Sequence, residues 1–433
     1  MSDYIYILES HLSPDQNQVL GEVMAAAGQA NVNLFLTGGA MRDMLAGYRI
    51  RDLDFVVEGA ALKLAKTVAG HSGAAIVSAD ENRKSAELVF RSGATAQIAM
   101  SRQEKYPRGG GKPQVTAATI QEDLRGRDFT CNAVALSLNK TSRGLLLDPL
   151  NGLADIERRE LRAVSSYGFY DDPTRLLRLV RLSVRLGFAI EERTSMQVAN
   201  AREAEVEKTI PARALGAELK LIGGEDSAAG IIEALAQAGL LALFSPALAA
   251  GPLHRAGLAR FEKIARMLPD EIQVRAARFG PFMVALTEKL SAREKQALVK
   301  HLEFSKGTAH QWLQLDARSK KLAAALRSPR IRKPSQVYQI VSAAPADQVM
   351  FLLYASTVKP VQDRLKAYFQ KYLPAVQEIT PEEWATVETK PGRQNKAREE
   401  FIANRLDRRA PRKPPPAPEP PPAPEPAMAR RGR

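Results

Sequence analysis

Leu36-Thr37-Gly38-Gly39-Ala40-Met41-Arg42-Asp43, followed by Arg51-Asp52-Leu53-Asp54-Phe55-Val56-Val57, is the stretch on which the reading of this chain turns. The apolar run from Val32 to Leu36 predicts a strand that ends in the Gly-Gly turn. A short helix over Met41 to Ala46 and a second strand over Leu53 to Val57 follow. Side chains alternate faces along a strand, so Asp52 and Asp54 project to the same side. Two carboxylates held side by side repel unless a divalent cation lies between them. Oxygen ligands of this kind suit Mg²⁺, which takes one or two carboxylates together with substrate phosphates. The glycines let backbone N–H groups approach a phosphate closely, at the N-terminus of the following helix. An isolated Asp-x-Asp is usually a solvated strand end, and an isolated Gly-Gly a turn. Their fixed order, with Arg42 and Asp43 between them, points to metal-dependent nucleotidyl transfer.

At 433 residues the chain has room for two to four domains and a sizeable core. There is no run of eighteen apolar residues, and the opening MSDYIYILES lacks a basic-then-apolar signal pattern. A cytoplasmic protein that does not engage a membrane is therefore expected. Cys131 is the single cysteine, which excludes a disulfide framework and a thiolate zinc site. The five histidines (His11, His71, His254, His301, His310) are scattered without metal-ligand spacing, which argues against an appended metal-dependent phosphohydrolase. A net charge of +14 points to a polyanionic partner. Residues 405–433 supply +5 of it, so the chain ahead of them still carries about +9.

Residues 1–30 predict one amphipathic helix, Pro14 to Ala27, and residues 31–150 alternate strands and helices. A helix over Ala60 to Ala69 and a strand over Ala74 to Val77 are expected. Glu87 to Phe90 and Thr95 to Met100 read as a hairpin around Arg91-Ser92-Gly93. Arg102 to Pro113, with Gly109-Gly110-Gly111, reads as a mobile loop; Thr119 to Leu138 carries a helix, and Gly144 to Leu147 a last short strand. From about Asp155 the pattern is helical, as over Pro173 to Leu186, Ile231 to Leu243, Ser291 to Leu302, Thr308 to Leu326 and Pro334 to Ala343. After Phe401 an Ala/Pro/Glu tract with ten prolines between Pro411 and Pro426 predicts an extended, disordered tail.

Three further clusters stand out. In Arg127-Asp128-Phe129-Thr130-Cys131-Asn132-Ala133, Asp128 and Asn132 stand one turn apart if the segment is helical, with Arg127 placed to hold a triphosphate or ribose. Asp148-Pro149-Leu150-Asn151-Gly152-Leu153-Ala154-Asp155 reads as a helix-capping turn that joins the first domain to the next. In Asp171-Asp172-Pro173-Thr174-Arg175-Leu176-Leu177-Arg178-Leu179-Val180-Arg181, Asp172 is a natural N-cap and Pro173 a natural first helical residue. Arg175, Arg178, Arg181 and Arg185 fall along one stripe, opposite Leu176, Leu177, Leu179, Val180 and Val184. A solvated basic face is one reading. The other has Asp172 and Arg175 presenting donors and acceptors to a base edge while the remaining arginines face phosphates.

The order of these motifs resembles the class II tRNA nucleotidyltransferases (CCA-adding enzymes) and bacterial poly(A) polymerases. Their Gly-Gly-x-x-Arg-Asp…Asp-x-Asp signature is met by Gly38 to Asp54, and Arg-Arg-Asp-Phe-Thr-x-Asn-Ala from Arg127 to Ala133. Asp-Pro-x-x-Gly-x-x-Asp is met by Asp148 to Asp155, and Glu-Asp-x-x-Arg-x-x-Arg by Asp171 to Arg178; Arg213 with Glu218 resembles the last motif. The resemblance is specific over residues 32–220 and architectural beyond. It implies an α+β head with a polymerase-β-like nucleotidyltransferase fold, residues 1–154, followed by all-α neck, body and tail. The neck, 155–225, would recognise the base; the body and tail, 226–403, would bind tRNA; 404–433 would be the disordered Pro-rich basic tail. Asp52 and Asp54 look like the catalytic Mg²⁺ ligands. Gly38, Gly39, Arg42, Arg127, Asp128 and Asn132 would bind the incoming nucleotide, Asp172 and Arg175 would pair with the base of CTP or ATP, and Arg178 and Arg181 would complete the pocket. The implied reaction is attack of the tRNA 3′-hydroxyl on the α-phosphate, with pyrophosphate leaving.

Three positions depart from the family pattern. Gln97 stands where a third carboxylate is usual, five residues before Arg102; Gly126 replaces the first arginine of an Arg-Arg pair; Asp171 replaces a glutamate. A neutral amide can coordinate through oxygen but supplies no charge, so metal affinity should fall. These departures keep open a CC-adding, A-adding or poly(A)-adding relative, and a catalytically weakened RNA-binding homologue.

Overall fold

The computed structural model describes residues 4–268, 277–387 and 394–408. The Pro-rich segment anticipated as a disordered tail lies outside the described residues from 409 onward. Two N-terminal helices, α1 (Tyr4–His11) and α2 (Pro14–Ala30), precede strand β1 (Asn33–Thr37). Helix α2 starts at Ser13, whose side chain accepts from the Gln16 N–H while Gln16 accepts from the Ser13 N–H, a capping box that satisfies two otherwise orphaned donors. Next come α3 (Gly38–Leu45), β2 (Leu53–Glu58), α4 (Ala61–Ser72), β3 (Ala75–Asp80), β4 (Ser85–Val89), β5 (Thr95–Met100), β6 (Arg102–Lys105), β7 (Gln114–Ala117), α5 (Ile120–Arg125), β8 (Ala135–Ser137) and β9 (Leu146–Leu147).

Seven strands form one mixed sheet in the order β3-β4-β5-β2-β1-β8-β9. Only the β2–β5 pairing is parallel; it sets Asp54 opposite Gln97. Strand alternation splits the residues into two faces. Leu34, Leu36, Leu53, Phe55, Val57, Ala96 and Ile98 pack with Leu20, Val23, Leu64 and Val68 of α2 and α4 into the main core. Phe35 and Val56 face the other way, against Ile120, Leu124 and Ala133. Asp52 and Asp54 share the parity of Val56 and lie on that second face, away from the main helix layer.

Beyond the sheet the chain continues through α6 (Gly152–Arg158), β10 (Glu160–Leu161), α7 (Gly168–Asp171), α8 (Thr174–Leu186), β11 (Ala189–Ile190), α9 (Glu192–Glu203), α10 (Ala212–Gly224) and α11 (Ala228–Gln237). Leu176, Leu179, Leu182 and Leu186 of α8 are buried with Phe129, Ile156, Leu161 and Phe169, each contributing on the order of 1.5–3 kcal/mol by leaving water. The remainder is helical, matching the expected α+β head followed by helices, apart from the short parallel β10–β11 ladder. The chain divides into two compact units, one reaching to Arg327 and taking in Ala344–Asp363, the other made of Ser328–Ala343 and the chain from Arg364 on. Among the described residues no helix is long and apolar enough to cross a membrane.

Several local expectations are corrected. The expected loop from Arg102 to Pro113 begins as a strand: Arg102–Lys105 is β6, which pairs antiparallel with β7 beyond Pro113, and residues 106–113 are the loop that joins them. The helix expected over Thr119 to Leu138 stops at Arg125, because Gly126 caps it; a single 3₁₀ turn (Thr130–Asn132) and β8 follow. Asp128 and Asn132 therefore do not share an α-helix. Helix α3 begins at Gly38 rather than Met41, with Gly38 at φ +63°, a backbone conformation open to glycine. The long helices expected over Ile231 to Leu243 and Thr308 to Leu326 are each broken, the latter into Lys306–Leu313 and Leu315–Arg327.

Candidate active site

Every residue singled out from the sequence as a candidate site residue lines one cavity of about 520 Å³: Gly38, Gly39, Arg42, Asp52, Asp54, Arg127, Asp128, Asn132, Asp172, Arg175, Arg178 and Arg181. Its walls are the second face of the sheet, the start of α3, the turn after α5 and one face of α8 from Thr174 to Arg185.

At its floor the Gly39 N–H donates to Asp54 Oδ2 at 3.0 Å. A Cβ on Gly38 or Gly39 would lie 3.2 Å from that same oxygen, so two glycines are needed for the close approach. The expectation that this N–H is free for a phosphate is thus corrected: it serves the carboxylate. Asp52 Oδ1 accepts from the Thr95 hydroxyl at 2.7 Å. Burial and the Asp52 charge push Asp54 up to about 6, against the opposing pull of Arg127, the Gly39 N–H and Arg42. That rise expresses first the burial of the carboxylate and second its repulsion by Asp52, which the nearby donors do not cancel. Among the described residues one oxygen of each carboxylate has no donor, and Gln97 stands opposite Asp54 on the adjacent strand. Among the described residues no group of three or more His, Cys, Asp or Glu could hold a metal. The pair instead fits a hard divalent cation that completes its shell with water and phosphate oxygens.

Behind the carboxylates, Arg42 is buried and fully engaged. Its Nε and Nη2 reach Asp43 Oδ1 at 2.9 and 2.7 Å, and its Nη1 reaches Asn132 Oδ1 at 2.7 Å. Asn132 in turn donates to Asp128 Oδ1 at 3.0 Å, and Arg178 meets Asp128 Oδ2 at 2.8 Å. Burial acts to raise the Asp128 carboxyl, but Arg178 and Arg175, with Asn132 and the Phe129 N–H, hold it down at about 2. Asp43 Oδ2 also accepts from Arg185 at 2.6 Å. Glu225, at the end of α10, gathers Arg51 at 2.6 Å, Arg181 at 3.2 Å and Arg185 at 3.6 Å, while Arg181 reaches Glu218 at 2.6 Å. Burial, then Arg42, press Arg185 down to about 10.

The basic stripe of α8 is therefore not a solvated face: its arginines alternate with buried carboxylates and tie the helix to the sheet domain. Nine arginines and seven carboxylates line the cavity, so most of the positive charge is already paired. Arg175 is the partial exception. It donates to the carbonyls of Arg127 and Gly126 at 3.3 and 3.1 Å, but its Nε is buried without a hydrogen-bond partner and only comes within 4.0 Å of Asp172. The other Asp172 oxygen accepts from the Thr174 N–H and hydroxyl, so the carboxylate holds the first residue of α8, which starts at Thr174 after Pro173, one residue later than expected. Arg127 is aimed by Asp123 Oδ2, which accepts at 2.9 and 2.6 Å.

Sequence reasoning missed a second polar cluster in the same cavity. Arg83 and Arg102 both donate to Glu104 Oε1, at 3.0 and 2.8 Å, and the Tyr106 hydroxyl donates to Glu104 Oε2 at 2.7 Å. Burial works against the charged Glu104, yet Arg83 and Tyr106 bring it down to about 2. The spacing Arg102-x-Glu104-x-Tyr106 was the available signal, since alternate residues share a strand face. Arg51 and Glu225 were also missed, and no local pattern marks them.

Residues 34–162 match the family described as the poly A polymerase head domain. An A-adding tRNA nucleotidyltransferase of Halalkalibacterium halodurans is 38% identical over 45% of this chain and 45% of its own length. A CC-adding tRNA nucleotidyltransferase of Deinococcus radiodurans is 38% identical over 41% of this chain and 47% of its own. A relative from Aquifex aeolicus, again named A-adding, is 36% identical over 46% of the chain but only 24% of its own length. The matched stretch thus spans half or less of these relatives. In fold, the chain is similar to a solved CCA-adding enzyme in an apo form, with a TM-score of 0.55, 22% identity and coverage of 94% and 95% of the two chains. It is also similar to a Thermotoga maritima CCA-adding enzyme complexed with tRNA, with a TM-score of 0.52, 22% identity and 94% coverage of both.

Proposed function

We propose that this chain, in which residues 34–162 match the poly A polymerase head domain, is a template-independent nucleotidyltransferase that adds CCA to the 3′ end of tRNA from CTP and ATP. The observation that carries the reading is the convergence of Asp52, Asp54, Arg127 and the Asp172–Arg175 pair in one cavity. The bond formed joins the primer's 3′ oxygen to the α-phosphorus; the bond broken releases pyrophosphate, and the hydroxyl proton is lost. Bound Mg²⁺, held by Asp52 and Asp54, would supply charge neutralisation at the transferring phosphoryl group. The protein contributes position and fixed charge. Arg127, aimed by Asp123, faces the triphosphate, and Arg178, with its side chain 40% exposed, adds a second cation. The Arg175 guanidinium, no closer than 4.0 Å to Asp172, and the Asp172 carboxylate would supply a donor and an acceptor to a base edge. Arg42 and Arg181, saturated by protein partners, act as positioning residues. Residues 155–225 are taken as the base-recognising neck, and 226–403 as the tRNA-binding body and tail. The same reading expects a cytoplasmic enzyme.

The relatives' names favour one second reading, a specialist that adds only CC or only A, since both kinds match at 38% identity. Labelled CTP and ATP, supplied with Mg²⁺ to tRNAs ending before CCA, after C and after CC, separate the two. Extension of all three to CCA supports the full enzyme. Extension of one or two identifies the specialist, and tight binding without extension leaves an RNA-binding protein.

A further inference from the structure

The cavity accounts for the nucleotide, but the strand being extended must also be held. Two exposed tyrosines stand in the turn just before Asp172, which lines the cavity. Tyr167 is 72% exposed and Tyr170 36% exposed. They stand three residues apart across α7, the Tyr170 N–H donating to the Tyr167 carbonyl at 2.9 Å, so both belong to one side of the turn. Phe169 between them is buried in the core beneath α8 and pins the turn in place. Among the described residues neither tyrosine hydroxyl has a hydrogen-bond partner and neither ring packs on another aromatic ring.

The turn is fixed against the cavity on both sides. It runs directly into Asp172, and a Cβ on Gly168 would lie 2.9 Å from Arg175 Nη1, so α7 sits against the guanidinium that faces the base. On the other side the Gly110 N–H donates to the Asp171 carbonyl at 3.1 Å, and a Cβ on Gly109 would lie 2.5 Å from the Tyr170 carbonyl. Exposed Arg108 directly precedes the glycine that meets the Tyr170 carbonyl. Exposed Arg193 reaches Ser166 at 3.2 Å, next to Tyr167. Rigid aromatic faces flanked by exposed arginines match the chemistry of an unpaired nucleic acid strand, in which bases stack and phosphates seek cations. An apolar protein partner would not choose a patch set among Arg108, Ser166, Asp171 and Arg193.

Resting on the nucleotidyltransferase reading, we propose that Tyr167 and Tyr170 form a stacking platform for the last unpaired bases of the RNA strand whose 3′ end enters the cavity. Base stacking on an aromatic ring is worth about fivefold to 150-fold in affinity per base. The test uses the full chain and a tRNA lacking CCA, with 2-aminopurine at its final unpaired position, whose fluorescence falls on stacking. Wild-type protein should quench the probe. Tyr167→Ala and Tyr170→Ala should lose part of the quenching and raise the KM for tRNA about tenfold, with the KM for CTP changed by less than about twofold. Tyr→Phe at either position should keep both, because the ring face stacks. Alanine variants that quench and extend like wild type overturn the platform, as does a Tyr→Phe variant that fails like alanine. Wild type that binds the tRNA but transfers no nucleotide overturns the enzymatic reading alone, since quenching still reports the platform.

Discussion

Replacing Asp54 with asparagine should stabilise the metal-free protein at neutral pH while abolishing its chemistry. Asp54 titrates at about 6 in the fold against 3.8 as an unperturbed group, first because it is buried and second because Asp52 stands beside it. Below pH 3.8 the carboxyl is neutral in both states and contributes nothing. Between 3.8 and 6 the unfolded chain releases this proton first, so stability falls as pH rises. Above 6 the loss is complete, about 3 kcal/mol at 1.36 kcal/mol per unit, and about 1–2 kcal/mol once the partial exposure of Asp54 is allowed for. Asparagine removes the charge and keeps an oxygen for the Gly39 N–H. Thermal melts in chelator should therefore place Asp54→Asn a few degrees above wild type at pH 7.5, with no more than about a third of that gain at pH 4.5. Saturating Mg²⁺ should favour wild type, because it binds the native carboxylate pair. A variant less stable than wild type at pH 7.5 in chelator, or an equal gain at both pH values, would refute the reasoning.

Other perturbations separate the parts of the site. Gln97→Glu places a third carboxylate opposite Asp54 in the β2–β5 register and should tighten divalent-ion binding several-fold by calorimetry; unchanged affinity would remove Gln97 from the metal's surroundings. Glu225→Ala strands Arg51, Arg181 and Arg185 and should cost about 3 kcal/mol or more, read as a lower melting temperature. Arg175→Ala should blur the CTP/ATP incorporation ratio more than it weakens triphosphate affinity, and an unchanged ratio would remove Arg175 from base choice.

The first strand, the glycine turn and the Asp-x-Asp strand are legible because apolar runs bounded by glycine carry their own boundaries. Candidate site residues were legible by type and order even where the local structure was misread. Asp128 and Asn132 mimic the i, i+4 spacing of a helix, yet an extended step and one 3₁₀ turn bring them together. The β6–β7 hairpin escaped because Arg102–Lys105 has no apolar alternation, its side chains being spent on Glu104. The ion network could not be read at all: Arg51 and Glu225 are 174 positions apart, and only the folded chain brings that carboxylate to the loop before Asp52. Arg175, Arg178, Arg181 and Arg185 show the same limit, since their stripe was visible and their partners were not.

The central claim is that the Asp52–Asp54 pair drives nucleotide transfer to tRNA. Its most direct test compares wild type and Asp54→Ala for incorporation of labelled CTP and ATP into a tRNA lacking CCA, with tRNA affinity measured on the same preparations. The account predicts incorporation by wild type, none by the variant, and tRNA binding equal within about twofold, because the proposed tRNA contacts do not include Asp54. Incorporation by Asp54→Ala at the wild-type rate would contradict it.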